Sequence, residues 1–142
     1  MDESPPTAGC CCESGQACVF SKALLVRDSS CQLGRRVHFA EREMLECSSA
    51  AARLDCEHLA VLLREQARSA LHLPPPGRPL MHAQALRLQC AGLAALRSSL
   101  GVAGKDVHGA VSAAVERHGT LTALPWDAIV SALVSWRPTR RI

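Results

Sequence analysis

Apolar residues in the middle of the chain recur with the spacing of one face of a helix. Between about Ala40 and Leu71 they are separated by 7, 4, 3, 4, 4 and 3 positions, in keeping with the 3.6-residue period of an α-helix. Charged residues lie off this spacing, among them Arg53, Asp55, Glu57, Arg64, Glu65 and Arg68. The pattern predicts one long amphipathic helix with a single apolar stripe, which consists of Leu45, Ala52, Cys56, Leu59, Leu63, Ala67 and Ala70.

Three shorter helices are predicted to follow. The Pro-rich linker 74–79 ends the long helix, because consecutive prolines cannot continue a helix and favour an extended spacer. Pro79 suits the first position of the next helix, and Gly101 suits its C-terminal cap. The third predicted helix is Lys105–His118, and the fourth begins at Pro125 and ends before Pro138.

The first 35 residues show no sustained periodicity. Pro, Ser, Gly and acidic residues dominate their first part, and the single apolar run, from Cys18 to Val26, is short. Its length does not distinguish a strand from a helical turn. We therefore predict a disordered leader over residues 1–35 and a single helical domain over residues 36–142.

Composition supports a helical fold. The 142 residues include 22 Ala, 19 Leu and 10 Val, against 2 Ile, 2 Phe, 2 Trp and no Tyr. Ala and Leu are strong helix formers, whereas β-sheets draw on β-branched and aromatic residues. The predicted fold class is all-α, with one long amphipathic helix and about three shorter ones after the leader.

Charge and hydropathy argue against a nucleic-acid partner and against a membrane span. The net charge of +3 is scattered, without the basic stripe and aromatic recognition elements of a nucleic-acid binder. No 18-residue window is free of charges and helix breakers, so no membrane span is expected. Acidic residues and prolines near Met1 do not match a secretory signal. We expect a cytoplasmic or nuclear protein, in which cysteines remain free thiols.

Eight cysteines and six histidines raise the question of a metal site. Zinc modules pair their ligands at spacings such as C-x2-C, and no such pair occurs here. A cysteine-based metal or redox protein remains a minor alternative, and Cys10–Cys12 fit either acylation or no role. Because catalytic sequence motifs are also missing, we predict no metal, no cofactor and no enzymatic activity.

One short motif carries a functional expectation. Arg36-Val37-His38-Phe39 resembles the RVxF docking motif of protein phosphatase 1 regulatory subunits. The resemblance implies an extended segment that adds to a sheet edge of the phosphatase, remote from its catalytic centre. Side chains two apart in a strand point the same way, so Val37 and Phe39 can enter paired apolar pockets. Basic and acidic flanks are supplied by Arg35 and Arg36, and by Glu41, Glu43 and Glu46.

Two functional interpretations follow. The first is a non-catalytic helical adaptor that recruits protein phosphatase 1 through Arg35, Arg36, Val37 and Phe39. The second is a structural subunit of a larger helical or cytoskeletal assembly with no phosphatase link, in which Val37 or Phe39 packs on the first turn of the long helix. Because the later helices are short and Ala-rich, we expect the Leu45–Ala70 stripe to form a homo- or hetero-oligomer interface.

Overall fold

The computed structural model of the chain describes residues 17–138. This part of the chain forms five α-helices and one antiparallel two-stranded sheet. In chain order the elements are α1 (Ser21–Leu25), β1 (Gly34–Phe39), β2 (Arg42–Cys47), α2 (Ala50–Leu71), α3 (His82–Leu100), α4 (Val107–His118), a 3₁₀ turn (Leu121–Ala123) and α5 (Trp126–Ser135). The fold is mostly helical, as predicted, and the hairpin is the exception.

The long helix begins ten residues later than the sequence predicted. Residues 42–47 form β2 instead of the first turns of α2. The change of structure occurs at Ser49, whose backbone is extended and whose hydroxyl accepts a hydrogen bond from the Ala52 N–H at 3.1 Å. A serine in this position satisfies one of the free N–H groups at the start of a helix. The predicted start at Ala40 is therefore wrong.

The two strands join through the two-residue turn Ala40-Glu41. Their register places Arg36 opposite Leu45 and Val37 opposite Met44. Ala40 has φ +58°, a left-handed conformation that glycine or asparagine adopts more readily in such turns. On the edge of β2 away from β1, Glu46 forms an isolated antiparallel bridge with Ala17.

The predicted leader is too long at its C-terminal end. Phe20 and Leu24 are buried in the core, and the Ala23 N–H donates to Gln89 Oε1 on α3 at 3.1 Å. The apolar run from Cys18 to Val26 thus supplies a short helix that packs on α3. The remainder of the predicted leader, residues 1–16, lies outside the described residues.

Contrary to the expectation from its prolines, the linker between α2 and α3 is not extended throughout, because the Arg78 N–H donates to the Pro75 carbonyl at 3.1 Å and closes a turn. Arg64 on α2 donates hydrogen bonds to the carbonyl oxygens of Pro74, Pro75 and Arg78. The linker is therefore held against the end of α2. Helix α3, the second of the predicted helices, starts at His82 and not at Pro79 as predicted.

The centre of the molecule is α3, which packs against the other four helices. Its middle turns are buried around almost the whole circumference, because Leu alternates with residues that have small side chains. Cys90, Ala91, Leu93 and Leu96 are all completely buried. A helix that is apolar on every side belongs at the centre of a bundle.

The apolar stripe predicted on the long helix is used inside the chain. Leu59, Leu63 and Ala67 are buried against neighbouring elements, and Leu45 is buried from its position on β2. Ala70 is exposed. Leu59, Leu63 and Ala67 are therefore covered within the chain and are not available to a partner, whereas oligomerisation through the rest of the stripe stays a prediction.

Replacing Gly92 by Ala is expected to destabilise the fold, although Ala is the better helix former by about 1 kcal/mol. A Cβ atom at residue 92 would lie 2.8 and 2.9 Å from the two methyl carbons of buried Leu63. Overpacking of this kind costs roughly 1–3 kcal/mol. Urea denaturation should show a lower free energy of unfolding for G92A. The double variant G92A/L63A should lose less unfolding free energy than the sum of the losses in G92A and L63A. An unchanged unfolding free energy in G92A would contradict this packing.

Replacing His72 by Gly is expected to stabilise the end of α2. His72 has φ +55°, and the amides of His72 and Leu73 donate to the carbonyls of Ser69 and Arg68. Helix α3 ends in the same arrangement with Gly101 in the left-handed position. Removing the Cβ should raise the free energy of unfolding by about 0.5–1 kcal/mol. His72→Ala, which retains the Cβ, should give no such gain; equal Tm values for the two variants would disprove the backbone argument.

Candidate docking site on the β1–β2 hairpin

All four residues of the predicted docking motif lie in β1. Arg36, Val37, His38 and Phe39 occupy consecutive positions of the strand, and the preceding Arg35 belongs to it as well. The segment is extended, as the sequence predicted, but it is already paired with β2. The structure therefore presents the motif as one strand of a hairpin.

The register determines which face of the hairpin each side chain occupies. Residues directly opposite each other in an antiparallel pair share a face, so Arg36 shares one with Leu45 and Val37 shares the other with Met44. Leu45 is buried in the core, whereas Met44 is 39% exposed. Val37 is half-buried and does not belong to the apolar core of residues 17–138. Val37 thus lies on the outer face of the hairpin.

This position bears on the structural role considered for the motif. The cross-strand neighbour of Val37 is Met44, and Val37 is not among the side chains that pack against the apolar core of residues 17–138. Phe39 is opposite Arg42 in the backbone register. Its side chain is outside the described part of the structure, so the predicted role of Phe39 stays a prediction.

Both arginines of the motif region pair with glutamates on β2. Arg35 Nη2 lies 3.2 Å from Glu46 Oε1, and Arg36 Nη1 lies 2.6 Å from Glu43 Oε2. Two carboxylates of the predicted acidic flank therefore fold back on the basic residues. Such solvent-exposed pairs contribute only about 0–1 kcal/mol each, so the arginines can exchange their partners at small cost.

The outer edge of β1 retains backbone groups able to pair with another strand. The Leu45 carbonyl accepts from the Cys18 N–H at 3.0 Å, which directs the backbone of Leu45 away from β1. Its partner Arg36 is therefore in a non-hydrogen-bonded pair, and the N–H and C=O groups of Arg36 and His38 point to the outer edge. Within residues 17–138, β1 pairs with β2 alone.

Four cysteines that are distant in sequence come together beneath the hairpin. Cys18 pairs its backbone with β2, and Cys31 packs against Gly34, which is opposite Cys47. Cys56 lies on α2, three residues after Arg53, whose Nε donates to the Ala17 carbonyl at 2.7 Å. The sequence spacing gave no sign of this neighbourhood. In residues 17–138, however, no three His, Cys, Asp or Glu side chains are arranged to hold a metal ion.

Burial makes several of these thiols difficult to ionise. It raises the pKa of Cys56 to about 12, with a further contribution from the neighbouring Cys31, Cys18 and Cys47. Burial likewise raises the pKa of Cys18. For the fully buried Cys90 on α3, desolvation followed by the nearby Asp28 carboxylate raises the pKa to about 12. These side chains behave as small apolar groups of the core.

No helix in the described part of the chain is long and apolar enough to cross a membrane. Comparison with protein-family models, curated proteins and solved structures gave no match to this chain.

The sequence indicated the docking strand but missed its partner strand. Leu45 precedes Ala52 by seven residues and so fits the helical stripe equally well. The signal that could have revealed the hairpin is the charge pattern around Ala40-Glu41. Two arginines precede this turn and two glutamates follow it; when the turn closes, Arg35 is opposite Glu46, and Arg36 is diagonal to Glu43 on the other face. Opposite charges across a hairpin are a usual source of pairing energy.

Raising the pH above 9 is expected to reduce stability through the buried thiols. The pKa of Cys90 and of Cys56 is about 12 in the folded chain, against an ordinary value of 9.0. The unfolded chain therefore loses these protons first, and stability that is fully present below about pH 9 declines as the pH rises toward 12. Urea denaturation between pH 8 and 11 should show this decline, with a smaller slope for Cys90→Ala. The same slope in both proteins would contradict the assignment.

Proposed function

We propose that this chain is a non-catalytic helical adaptor that recruits the catalytic subunit of protein phosphatase 1 through Arg36-Val37-His38-Phe39. The observation that carries the proposal is the position of Val37, on the outer face of a strand whose outer edge is unpaired within the described residues. An apolar motif residue in that position is available to a partner without loss of core packing.

The hairpin geometry suits docking by strand addition. In that mode the backbone of an extended segment pairs with an exposed sheet edge, while alternate side chains enter pockets. The backbone groups of Arg36 and His38 supply the pairing edge, and Val37 supplies the first apolar side chain. Since β2 already holds β1 extended, less conformational entropy is lost on binding than for a flexible peptide.

The basic residues of the motif contribute mainly to the encounter. Arg35 is the more exposed of the two, with 65% of its side chain accessible. Its ion pair with Glu46 is weak enough to be exchanged for an acidic group on the phosphatase. We also propose a cytoplasmic or nuclear location, which agrees with the free thiols at Cys18, Cys31, Cys47, Cys56 and Cys90.

Replacing Val37 and Phe39 together by Ala is expected to lower affinity for the purified phosphatase catalytic subunit at least about 30-fold. The two apolar side chains of such a motif act as hot spots worth roughly 2 kcal/mol or more. Binding would be measured by calorimetry, with helix content checked by circular dichroism. Met44→Ala is the matched control, because Met44 shares the face of Val37 but lies outside the motif; it should change affinity less than about threefold.

Arg35→Gln should weaken binding mildly, and the difference from the wild-type chain should vanish as salt rises. If the wild-type chain does not bind the phosphatase even at low salt, the proposal is wrong. The alternative then is a structural subunit of a larger helical or cytoskeletal assembly with no phosphatase link.

A further inference from the structure

A cleft of about 240 Å³ lies between the loop after α1, strand β1 and the loop that precedes α4. Three cations from these three segments line it, namely Arg27, Arg36 and Lys105. Ser29 and Ser30 add two hydroxyl groups, and Leu45 forms part of an apolar floor. No carboxylate lines the cleft in the described part of the chain.

Two acidic groups beside the cleft are engaged with other partners, whereas Asp28, between Arg27 and Ser29 in the chain, has a buried Oδ2 without a hydrogen-bond partner. Glu43 pairs with one nitrogen of Arg36 at 2.6 Å, which leaves further N–H donors on that guanidinium. Asp106, beside Lys105, accepts hydrogen bonds from the backbone and side chain of Gln32 at 2.8 and 2.7 Å. Arg97 on α3 donates a hydrogen bond to the Ser29 hydroxyl at 3.1 Å.

Backbone contacts hold the walls of the cleft in place. The Ser30 N–H donates to the Lys105 carbonyl at 2.9 Å, and the Val107 N–H donates to the Ser30 carbonyl at 2.7 Å. Arg27 has φ +64°, a conformation costly for a residue with a side chain. Its amide and that of Asp28 donate to α1 carbonyls at 3.0 Å. The cations are therefore brought together by the fold before any ligand arrives.

We propose that this cleft binds a phosphate monoester dianion. Its charge of about −2 and its three terminal oxygens match a set of three cations and two hydroxyl donors better than a single carboxylate does. The guanidinium groups can bind oxygens in pairs, whereas Lys105 acts as a point charge. The ligand is either a phosphorylated side chain of a protein or a small phosphorylated molecule. The site does not depend on phosphatase docking.

Titration of the ¹⁵N-labelled full chain by NMR tests the site. The probes are inorganic phosphate, a short phosphoserine peptide and the same peptide without phosphate, all at one ionic strength set with chloride. Phosphate should produce saturable shifts at the amides of residues 29–31 and 105. Lys105→Gln and Arg27→Gln should each weaken phosphate binding at least about tenfold. Arg36 is left unchanged, so that the result is separate from docking.

The matched control is Arg68→Gln, an equal change of charge at an exposed position on α2. Its phosphate affinity should stay within about twofold of wild type. A phosphopeptide at least tenfold tighter than inorganic phosphate identifies a phosphorylated side chain as the ligand, and equal affinities identify a small phosphorylated molecule. The proposal is overturned if chloride alone causes the same shifts, or if Arg68→Gln weakens binding as much as Lys105→Gln.

Discussion

The close approach of α2 and α3 at Gly92 is a contact that leaves no room for a side chain between the two helices. Leu63 occupies the space that a side chain at residue 92 would need. Because that space is filled from α2, the remaining sides of α3 are free to receive α1, α4 and α5. Interiors are packed to crystal-like density, so the position of one large side chain over one glycine constrains every helix in contact with α3.

The burial of Leu45 determines which face of the hairpin is exposed. Leu45 is buried, and a shift of register by one residue would exchange the two faces of the sheet. Burial of this single leucine therefore fixes Val37 on the outer face. The core does not contact the motif residue directly, yet it decides which side of β1 a partner can reach. The face of β1 that carries Val37 is in this sense determined by the burial of β2 against the helices.

Helical periodicity predicted most of the fold. The ends of α3 and α4 were placed correctly by Gly101 and Gly119, since both glycines adopt positive φ angles that end a helix. The hairpin was missed because Leu45 fits the spacing of the helical stripe as well as the buried face of a strand. The packing of Phe20 was missed because a five-residue helix is too short to show a period.

The candidate sites divide in the same way. The docking motif could be found because its residues are contiguous in sequence. The cationic cleft and the cysteine neighbourhood could not be found, because their members are dispersed along the chain and meet only through tertiary packing. Arg27 and Lys105 have no pattern in common until Ser30 pairs with the loop before α4.

The pairing of the loop before β1 with Asp106 has a consequence for biosynthesis. Gln32 and Asp106 are 74 residues apart in the chain, and Asp106 also caps α4 through the Gly109 amide. At a synthesis rate of about 5–20 residues per second, roughly 4 to 15 seconds separate the emergence of the two ends of this contact. During that interval the loop before β1 has no C-terminal anchor.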